Sequence, residues 1–326
     1  MSILITGGTG FIGVGLAHRL VERGEDVVLF DIAPQTERVA DIKDKVKIAQ
    51  GDMTMWPEVM NAIKENKVEG IFHLGAMLSQ TSESNPWASF QANAAGTMNI
   101  LEAARLSGVR RVVFSSAVGT FGLGRTTDVI TDDTIQRPIS MYGIGKLTGE
   151  LLGRFYRRKY DLDFRASRYC AVVGPGVKSK ALAQYNTLMV ENAALGKPFE
   201  CYVSEDTAIP VTYFKDAIHS LEMLYDAPKE QIKTICYNVS GVSPAQTAKE
   251  LELAVKKFIP EAKITYKPDP LAMEFVQNLN IKVIDDSRAR EEWGWKPLYS
   301  NLEKAVADFV QEVKTRARYY GLAQKV

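Results

Sequence analysis

The sequence has few of the features that mark secreted, membrane or nucleic-acid-binding proteins. Its three cysteines, Cys170, Cys201 and Cys236, lie far apart without a CxxC pair, which favours free thiols in a reducing compartment. A formal net charge of +1 excludes recruitment to nucleic acid or to an acidic membrane by bulk charge. The chain has no run of about 20 apolar residues to span a bilayer, and its first residues lack a basic leader. We therefore expect a cytoplasmic protein without nucleic-acid or membrane partners.

Strand-like and helix-like patterns alternate over the first half of the chain. Apolar runs such as SILIT (2–6), DVVLFD (26–31) and LDFRASRYCAVVG (162–174) are typical of buried strands. Between them, apolar residues recur at helical spacing, for example over 86–106 and 142–160. Near-continuous apolar strands separated by helices predict a parallel sheet that is covered on both faces.

A glycine-rich loop joins the first strand to the first helix. In ILITGGTGFIG (3–13), Gly7, Gly10 and Gly13 have GxxGxxG spacing. Glycine lets the backbone approach a phosphate, and a helix N-terminus offers free N–H groups and the positive end of a dipole. Asp31 ends the second strand, where a carboxylate can accept hydrogen bonds from both ribose hydroxyls and repel a 2′-phosphate. Alone, the loop is equally consistent with an ordinary turn; strand, loop, helix and acid in this order predict an NAD site.

A second motif, YGIGK at 142–146, places Tyr142 and Lys146 four residues apart on one helix face. A phenol titrates at about pH 10, and a neighbouring ammonium favours the phenolate and lowers that pKa. A tyrosine held in this way is suited to exchange a proton with an alcohol beside a hydride acceptor. Lys146 also offers its ammonium to the nicotinamide ribose. Without the glycine loop, an exposed Tyr–Lys pair would be the simpler interpretation.

Together these motifs resemble the extended short-chain dehydrogenase/reductase superfamily. GDM (51–53), HLGA (73–76), NAAGT (93–97), VVFSSA (112–117) and RYCAVVGPG (168–176) fit the same pattern. The resemblance implies NAD contacts from the loop and from the ends of the following strands. These contacts are Gly7, Gly10, Phe11, Ile12, Gly13, Asp31, Asp52, Met53, Leu74, Gly75, Ala76, Asn93, Ser115, Tyr142, Lys146 and Tyr169. It makes His73 a packed residue at a strand end rather than a catalyst, and it implies no metal.

The pattern of the chain changes after Gly174, where an irregular loop is followed by helices and short strands. We predict a Rossmann-type α/β fold, a doubly wound parallel sheet with a smaller α+β domain. Residues 1–174 form the NAD-binding domain, and residues 175–326 form the substrate-binding domain. A segment near 211–235 is expected to return to the first domain. The resemblance also implies a homodimer through the helices at 86–106 and 142–160.

Segments in both halves resemble the short-chain type of the L-threonine 3-dehydrogenase family. They are HLGAMLSQTSESNP (73–86), DDTIQRPISMYGIGK (132–146), ELLGRFYRRKYDLDFRASRY (150–169), GKPFECYVSEDTAIPVTYFKDAI (196–218), ITYKPDP (264–270) and DDSRAREEWGWKP (285–297). The implied reaction oxidises L-threonine to 2-amino-3-oxobutanoate. Sugar-nucleotide enzymes of the superfamily usually carry Asn at the position of Ala171 and Arg near Ile209. Without those donors, the oxygens of a bound diphosphate would lack hydrogen-bond partners, so a small substrate is favoured.

Two departures from the family pattern affect the expected substrate contacts. The family places a Ser or Thr where this chain has Ala117, so the hydroxyl must come from Ser116 after a one-residue shift, or from elsewhere, such as Ser79. Ser116 could instead cap its own strand end. In GPGVKSKALAQYN (174–186), Lys178 is a candidate for binding a substrate carboxylate, or a solvated loop charge. The predicted substrate contacts are Ser79, Ala117, Tyr142 and Lys178.

Two other functions remain open at this point. An NDP-sugar 4-epimerase or dehydratase would hold NAD tightly and return the hydride to the sugar. A non-catalytic NAD-sensing protein would keep the fold without the chemistry; Tyr142 and Lys146 argue against it, while Ala117 argues for it. The fold alone does not decide among these functions.

Overall fold

The structure, a computed structural model, describes residues 2–177, 184–279 and 281–322, with only the backbone at 275 and 277–279. The strands are β1 (Ser2–Thr6), β2 (Asp26–Asp31), β3 (Val46–Gln50), β4 (Val68–His73), β5 (Arg111–Ala117), β6 (Val129–Ile130), β7 (Asp163–Tyr169), β8 (Ala171–Val173), β9 (Phe199–Cys201), β10 (Val211–Tyr213), β11 (Cys236–Asn238), β12 (Ile264–Tyr266) and β13 (Val283–Ile284). The helices are α1 (Phe11–Glu22), α2 (Trp56–Glu65), α3 (Ser79–Ser84), α4 (Pro86–Phe90), α5 (Thr97–Leu106), α6 (Met141–Tyr160), α7 (Tyr185–Ala194), α8 (Phe214–Asp226), α9 (Ala248–Phe258), α10 (Pro270–Leu279), α11 (Ser287–Trp293) and α12 (Leu302–Arg316).

The main sheet has seven parallel strands in the order β3-β2-β1-β4-β5-β7-β11. The chain runs outward from β1 in one direction and then continues from β4 in the other. Ligands of such sheets bind outside the carboxyl ends of the strands, where the strand order reverses. That point lies between β1 and β4, immediately beside the glycine loop. The predicted doubly wound fold is confirmed.

Helix α6 packs unusually close to the sheet because glycines line its inner face. A Cβ added at Gly149 would lie 2.6 Å from the ring of Phe114 on β5. A Cβ added at Gly153 would lie 2.1 Å from the ring of Phe164 on β7. Any larger side chain would push the helix outward. The close packing brings the first turns of α6, with Tyr142, to the carboxyl end of β5.

The structure corrects two predicted elements. The single strand predicted over 162–174 is two strands, because the Cys170 N–H donates to Thr212 Oγ1 (3.2 Å) and β8 leaves the main sheet to pair with β10. The helix predicted over 86–106 consists of α4, a π-helical turn at Gln91–Gly96 and α5. The wide turn carries Asn93, which packs against α6.

The second half of the chain contributes short strand pairs outside the main sheet, and its α8 packs on β5 and β7 of that sheet. Short parallel pairs join β8 with β10, β9 with β12 and β6 with β13. β11 belongs to the main sheet beside β7, so the chain returns to that sheet beyond the segment predicted at 211–235. The division near residue 174 stays a prediction. No helix in the described ranges is long and apolar enough to cross a membrane.

Candidate active site

The glycine loop forms a compact cradle at the start of α1. Gly7 has a φ of +63°, a left-handed conformation that glycine adopts without strain. The Gly10 N–H donates to the Gly7 carbonyl at 3.0 Å, and a Cβ added at Gly13 would lie only 2.4 Å from that carbonyl oxygen. α1 begins at Phe11, followed by Ile12, without a side-chain cap and without an acidic residue in its first turn. The helix N-terminus therefore suits a pyrophosphate.

Asp31 lies at the carboxyl end of β2 and is fixed by the glycine loop itself. Its Oδ2 accepts hydrogen bonds from the Thr9 N–H (3.1 Å) and the Thr9 hydroxyl (2.8 Å). The Ala33 N–H donates to Oδ1 at 3.3 Å. Thr9 is buried, so both hydrogen bonds are shielded from water. If the Asp31 carboxylate rotated away, it would lose both of them. Sequence reasoning missed Thr9, although it lies within the loop motif.

Replacing Asp31 with asparagine is expected to lower NAD affinity by about 10- to 100-fold and to reduce the preference for NAD over NADP. The reason is the loss of a charged acceptor for the ribose hydroxyls and of its repulsion toward a 2′-phosphate. Fluorescence titrations with NADH and NADPH measure both effects. Asp26→Asn, at the opposite end of the same strand, is the matched control and should leave both affinities unchanged.

A buried hydrogen-bond chain fixes the ends of β1 and β4. The Thr6 hydroxyl bonds to His73 Nδ1 (2.7 Å) and accepts the N–H groups of Leu74 (3.1 Å) and Gly75 (3.0 Å). His73 Nε2 bonds to the Thr97 hydroxyl at 3.0 Å. Burial, with the nearby Lys146 ammonium, lowers the pKa of His73 to about 3, so the ring is neutral. His73 is thus a packed residue, and its role is to position the strand ends.

The remaining predicted NAD contacts that follow β3 and β4 are Asp52, Met53 and Ala76. The Asp52 N–H donates to Glu58 Oε2 at 2.6 Å, and its side chain accepts the Thr54 N–H at 2.8 Å. The Met53 side chain lies near Gly75, and a Cβ added there would be 3.4 Å from the sulfur. Ala76 follows β4 and is half-buried. These residues stay predicted NAD contacts.

Asn93 joins the strand ends to α6. Its amide exchanges two hydrogen bonds with the backbone of Met77, accepting from the N–H at 2.8 Å and donating to the carbonyl at 2.9 Å. A Cβ added at Gly145 would lie 2.5 Å from Asn93 Cβ. The second glycine of YGIGK is therefore required for this contact. Sequence reasoning did not assign it a role.

Tyr142 and Lys146 lie together at the start of α6, as the motif predicts. The Lys146 ammonium donates a hydrogen bond to the Ser115 carbonyl at 2.6 Å. Its nitrogen lies 5.6 Å from the centroid of the Tyr142 ring and 4.8 Å from the centroid of the Phe114 ring. Ser140 caps the helix by accepting the Gly143 N–H at 3.1 Å. The pair therefore lies at the end of β5, next to the switch point of the sheet.

The electrostatics of this pair differ from the expectation. Burial raises the pKa of the Tyr142 phenol above its usual value, and the neighbouring Tyr169 adds to that effect. Burial also lowers the pKa of the Lys146 ammonium to about 7, opposed by Glu150. We expected the Lys146 ammonium to lower the pKa of the Tyr142 phenol and so to favour the phenolate. In the structure that effect does not outweigh burial, and the pKa is raised. Instead, burial favours the neutral forms of both groups.

Ser115 and Tyr169 form a second hydroxyl pair on neighbouring strands. Their hydroxyls are hydrogen-bonded to each other. Tyr169 stands opposite Ala117 in the β5–β7 register. Ala117 lies two residues after Ser115 on β5, so the side chains of Ser115 and Ala117 are on the same face of the sheet. Burial raises the pKa of Tyr169 to about 12, so the phenol stays neutral. Both residues stay predicted cofactor contacts.

The structure does not support Ser116 as the missing catalytic hydroxyl. Ser116 is fully buried, and its hydroxyl donates to Glu150 on α6. Successive side chains of a strand point to opposite faces, so Ser116 faces away from Ser115 and Ala117. Ala117, which follows Ser116, ends β5 in extended conformation.

Ser79 and Lys178 are the other predicted substrate contacts. Ser79 is the first residue of α3 and is half-buried. α3 packs against α6, and its Glu83 accepts the Met141 N–H at the start of α6 at 2.7 Å. Lys178 lies outside the residues that the structure describes. Ala117 is half-buried and offers no hydroxyl.

Comparisons with known proteins agree with this geometry. The model of the NAD dependent epimerase/dehydratase family matches residues 3–240. The chain belongs to this family. It is an NAD-dependent oxidoreductase of the extended short-chain dehydrogenase/reductase type, as the sequence motifs predict. The cradle at α1 and the fixed carboxylate of Asp31 fit NAD.

Several relatives of the chain are threonine dehydrogenases. The mitochondrial L-threonine 3-dehydrogenase of Bos taurus is 32% identical over 99% of this chain and 84% of its own length. The L-threonine dehydrogenase of Cupriavidus necator in its holo form has a TM-score of 0.88 at 29% identity, covering 96% of this chain and all of that one. A monomeric L-threonine 3-dehydrogenase from a metagenome has a TM-score of 0.85 at 26% identity, with 96% and 98% coverage.

Proposed function

We propose that the chain oxidises a secondary alcohol on a small substrate, with L-threonine as the best candidate and 2-amino-3-oxobutanoate as the product. The observation that carries the proposal is the Tyr142–Lys146 pair at the switch point of a chain that resembles threonine dehydrogenases over both halves. Ala171 and Ile209 support a small substrate. Both are apolar where a nucleoside diphosphate would need donors.

NAD, when bound, supplies the hydride acceptor. The Tyr142–Lys146 pair, after losing one proton, takes the proton of the substrate hydroxyl as the hydride leaves its carbon. With one proton between them, the pair is either a neutral phenol with an amine or a phenolate with an ammonium. The second form is the base, and the substrate hydroxyl beside it is the group that it deprotonates. Oxidation is therefore expected to rise with pH through the first titration of the pair.

Ser79 is the better of the two hydroxyls considered for orienting the substrate. The Ser116 hydroxyl already donates to Glu150. Ser79 stands at the N-terminus of α3, and α3 packs against α6, the helix that carries Tyr142. We expect its hydroxyl to bind the substrate oxygen in place of the Ser or Thr that Ala117 replaces. Lys178 stays a proposed partner for the substrate carboxylate.

The substrate is tested by NADH formation across L-threonine, other β-hydroxy acids, uronates and UDP-sugars. The proposal predicts the highest kcat/KM with L-threonine. Turnover of a different alcohol would retain the chemistry and reject threonine. Conversion of a UDP-sugar without net NADH would identify an epimerase, and binding of NAD without any turnover would identify a sensor.

We also propose a cytoplasmic homodimer, built through the outer faces of α4, α5 and α6. Large apolar side chains are exposed there, with Trp87 73%, Leu151 59% and Leu106 52% accessible. Leu101, by contrast, is buried and packs inside the subunit. Light scattering is expected to give twice the 36.2 kDa of one chain, and Leu151→Glu is expected to give the monomer. A monomeric wild-type chain, as in the metagenomic relative, would overturn the proposal.

A further inference from the structure

A fully buried carboxylate lies one turn after Lys146 on α6. Glu150 binds the Arg168 guanidinium with both oxygens, Nε to Oε1 at 2.7 Å and Nη2 to Oε2 at 2.6 Å. The Ser116 hydroxyl also donates to Oε1, and Gln136 donates to Oε2 at 3.1 Å. The side chains of Glu150 and Arg168 are each 1% exposed, so this ion pair is shielded from water.

A second carboxylate completes the cluster on the far side of Arg168. Asp132 Oδ1 lies 3.6 Å from Arg168 Nη1, and the Asp132 side chain is 3% exposed. The Asn238 N–H of β11 donates to the same oxygen at 2.6 Å. That Nη1 has no hydrogen-bond partner among the described residues, so Asp132 is its electrostatic partner.

Among the almost fully buried charged groups of this cluster, the charges balance only when Lys146 is counted. Arg154, one turn after Glu150 on α6, is only half-buried and faces Cys236. Arg168 neutralises one carboxylate, and Glu150 and Asp132 supply two. A buried ammonium at Lys146 supplies the remaining positive charge, giving two charges of each sign. Without Asp132, the Glu150–Arg168 pair is neutral and gives Lys146 no net counter-charge in an interior where an isolated ion is strongly disfavoured.

We propose that Asp132 is a positioning residue of the active site, which acts through Arg168 and Glu150 to keep the proton of the Tyr142–Lys146 pair on the lysine. The network thereby favours the phenolate form that takes the substrate proton. This inference rests on the proposed function for its catalytic consequence. The predicted effect on the proton of the Tyr142–Lys146 pair does not depend on which substrate the chain oxidises.

The other groups facing the cluster do not replace Asp132. The His73 ring beside Lys146 is neutral, because burial lowers its pKa to about 3. The Cys236 thiol beside Arg168 is neutral, because burial raises its pKa to about 12. Tyr169 is a neutral phenol. At the outer side, Asp285 and Arg288 face Asp132 with opposite charges, and Arg288 is paired with Asp133.

The sign of the expected pH effect follows from these charges. Burial raises the pKa of Asp132 to about 6, so its charge is present above that pH. Lys146 titrates higher, with a pKa of about 7. Removing the negative charge of Asp132 makes protonated Lys146 less stable, so the first titration of the pair moves to lower pH. The remaining proton then resides more on the tyrosine, which weakens the base.

The test compares three variants of the full chain in two measurements. The pH profiles of kcat/KM for alcohol oxidation and of NADH affinity by fluorescence report the titration of the pair. Asp132→Asn is expected to move both midpoints down by about 0.5 to 1 pH unit and to lower the plateau of kcat/KM. Gln136→Glu adds a carboxylate beside Glu150 and should move both midpoints up. Asp161→Asn, at the exposed C-terminal end of α6 and paired with Lys229, is the control and should move neither.

The outcomes separate this inference from the proposed function. A shift of the NADH-binding midpoint without turnover of any alcohol would support the network and reject the dehydrogenase. Midpoints that coincide with wild type in both Asp132→Asn and Gln136→Glu would overturn the network, even if Asp132→Asn lowers the melting temperature. If Asp132→Asn does not fold, the upward shift in Gln136→Glu decides. Equal shifts in Asp161→Asn would show that any lost surface charge moves the midpoints, and would overturn the proposal.

Discussion

Tyr142→Phe is expected to lower kcat for alcohol oxidation by about 10²- to 10⁴-fold, while NAD still binds and the fold is retained. The substitution removes only the phenol oxygen that we propose as the acceptor of the substrate proton, and contributions of this size are typical of general acid–base groups. Steady-state NADH formation at several pH values measures the loss. Thermal unfolding and NADH titration check that the ring still packs at the start of α6.

Tyr160→Phe is the matched control for this prediction. It makes the same change at the other end of α6, where the ring is exposed and stacks with Arg105 at 4.7 Å. We expect wild-type kcat in that variant. If Tyr142→Phe retained more than about a tenth of the wild-type kcat, another group would have to move the proton, and the role of the pair would be rejected.

Gly13→Ala is expected to abolish measurable NAD binding and to destabilise the fold by about 1 to 3 kcal/mol. The new Cβ would lie 2.4 Å from the Gly7 carbonyl oxygen and 2.8 Å from that of Gly8. These are backbone atoms of the loop, so α1 and the loop must separate, and the helix N-terminus no longer meets the pyrophosphate. Isothermal titration with NAD and thermal unfolding measure the two effects.

Gly15→Ala is the control on the same helix. Its Cβ would meet only the side chain of Ile218, with Cδ1 at 2.4 Å and Cγ1 at 3.6 Å, and the nearest atom is the far end of that side chain rather than backbone. NAD affinity should therefore stay near that of wild type. If Gly13→Ala binds NAD as tightly as Gly15→Ala does, the loop is not the pyrophosphate site.

Local patterns carried most of the information about the fold. The apolar strands and the glycine loop predicted a parallel sheet, and the sheet order places that loop at the switch point. The break after Tyr169 could not be predicted, because it depends on a hydrogen bond from Cys170 to Thr212, 42 residues away. The π-helical turn at 91–96 also depends on tertiary packing, of Asn93 against Gly145.

The candidate site was predictable where one motif carries the chemistry, as at Tyr142 and Lys146. It was not predictable where the environment sets the chemistry. Burial shifts the pKa of both groups toward their neutral forms, and spacing alone cannot reveal burial. The serine chosen as the missing hydroxyl, Ser116, faces Glu150 instead. Glu150 itself follows Lys146 by four residues, and this spacing was the available signal for the network.

The count of NADH molecules formed per chain tests the central claim most directly. Purified protein is incubated with L-threonine and excess NAD, and the NADH produced is compared with the amount of protein. NADH is expected to exceed the protein many-fold, with an equal amount of 2-amino-3-oxobutanoate, because NAD exchanges after each hydride transfer. At most one NADH per chain with L-threonine and with every other alcohol would rule out a dehydrogenase. Conversion of a UDP-sugar by the same protein, with NAD retained through purification, would then identify an enzyme that returns the hydride to its substrate.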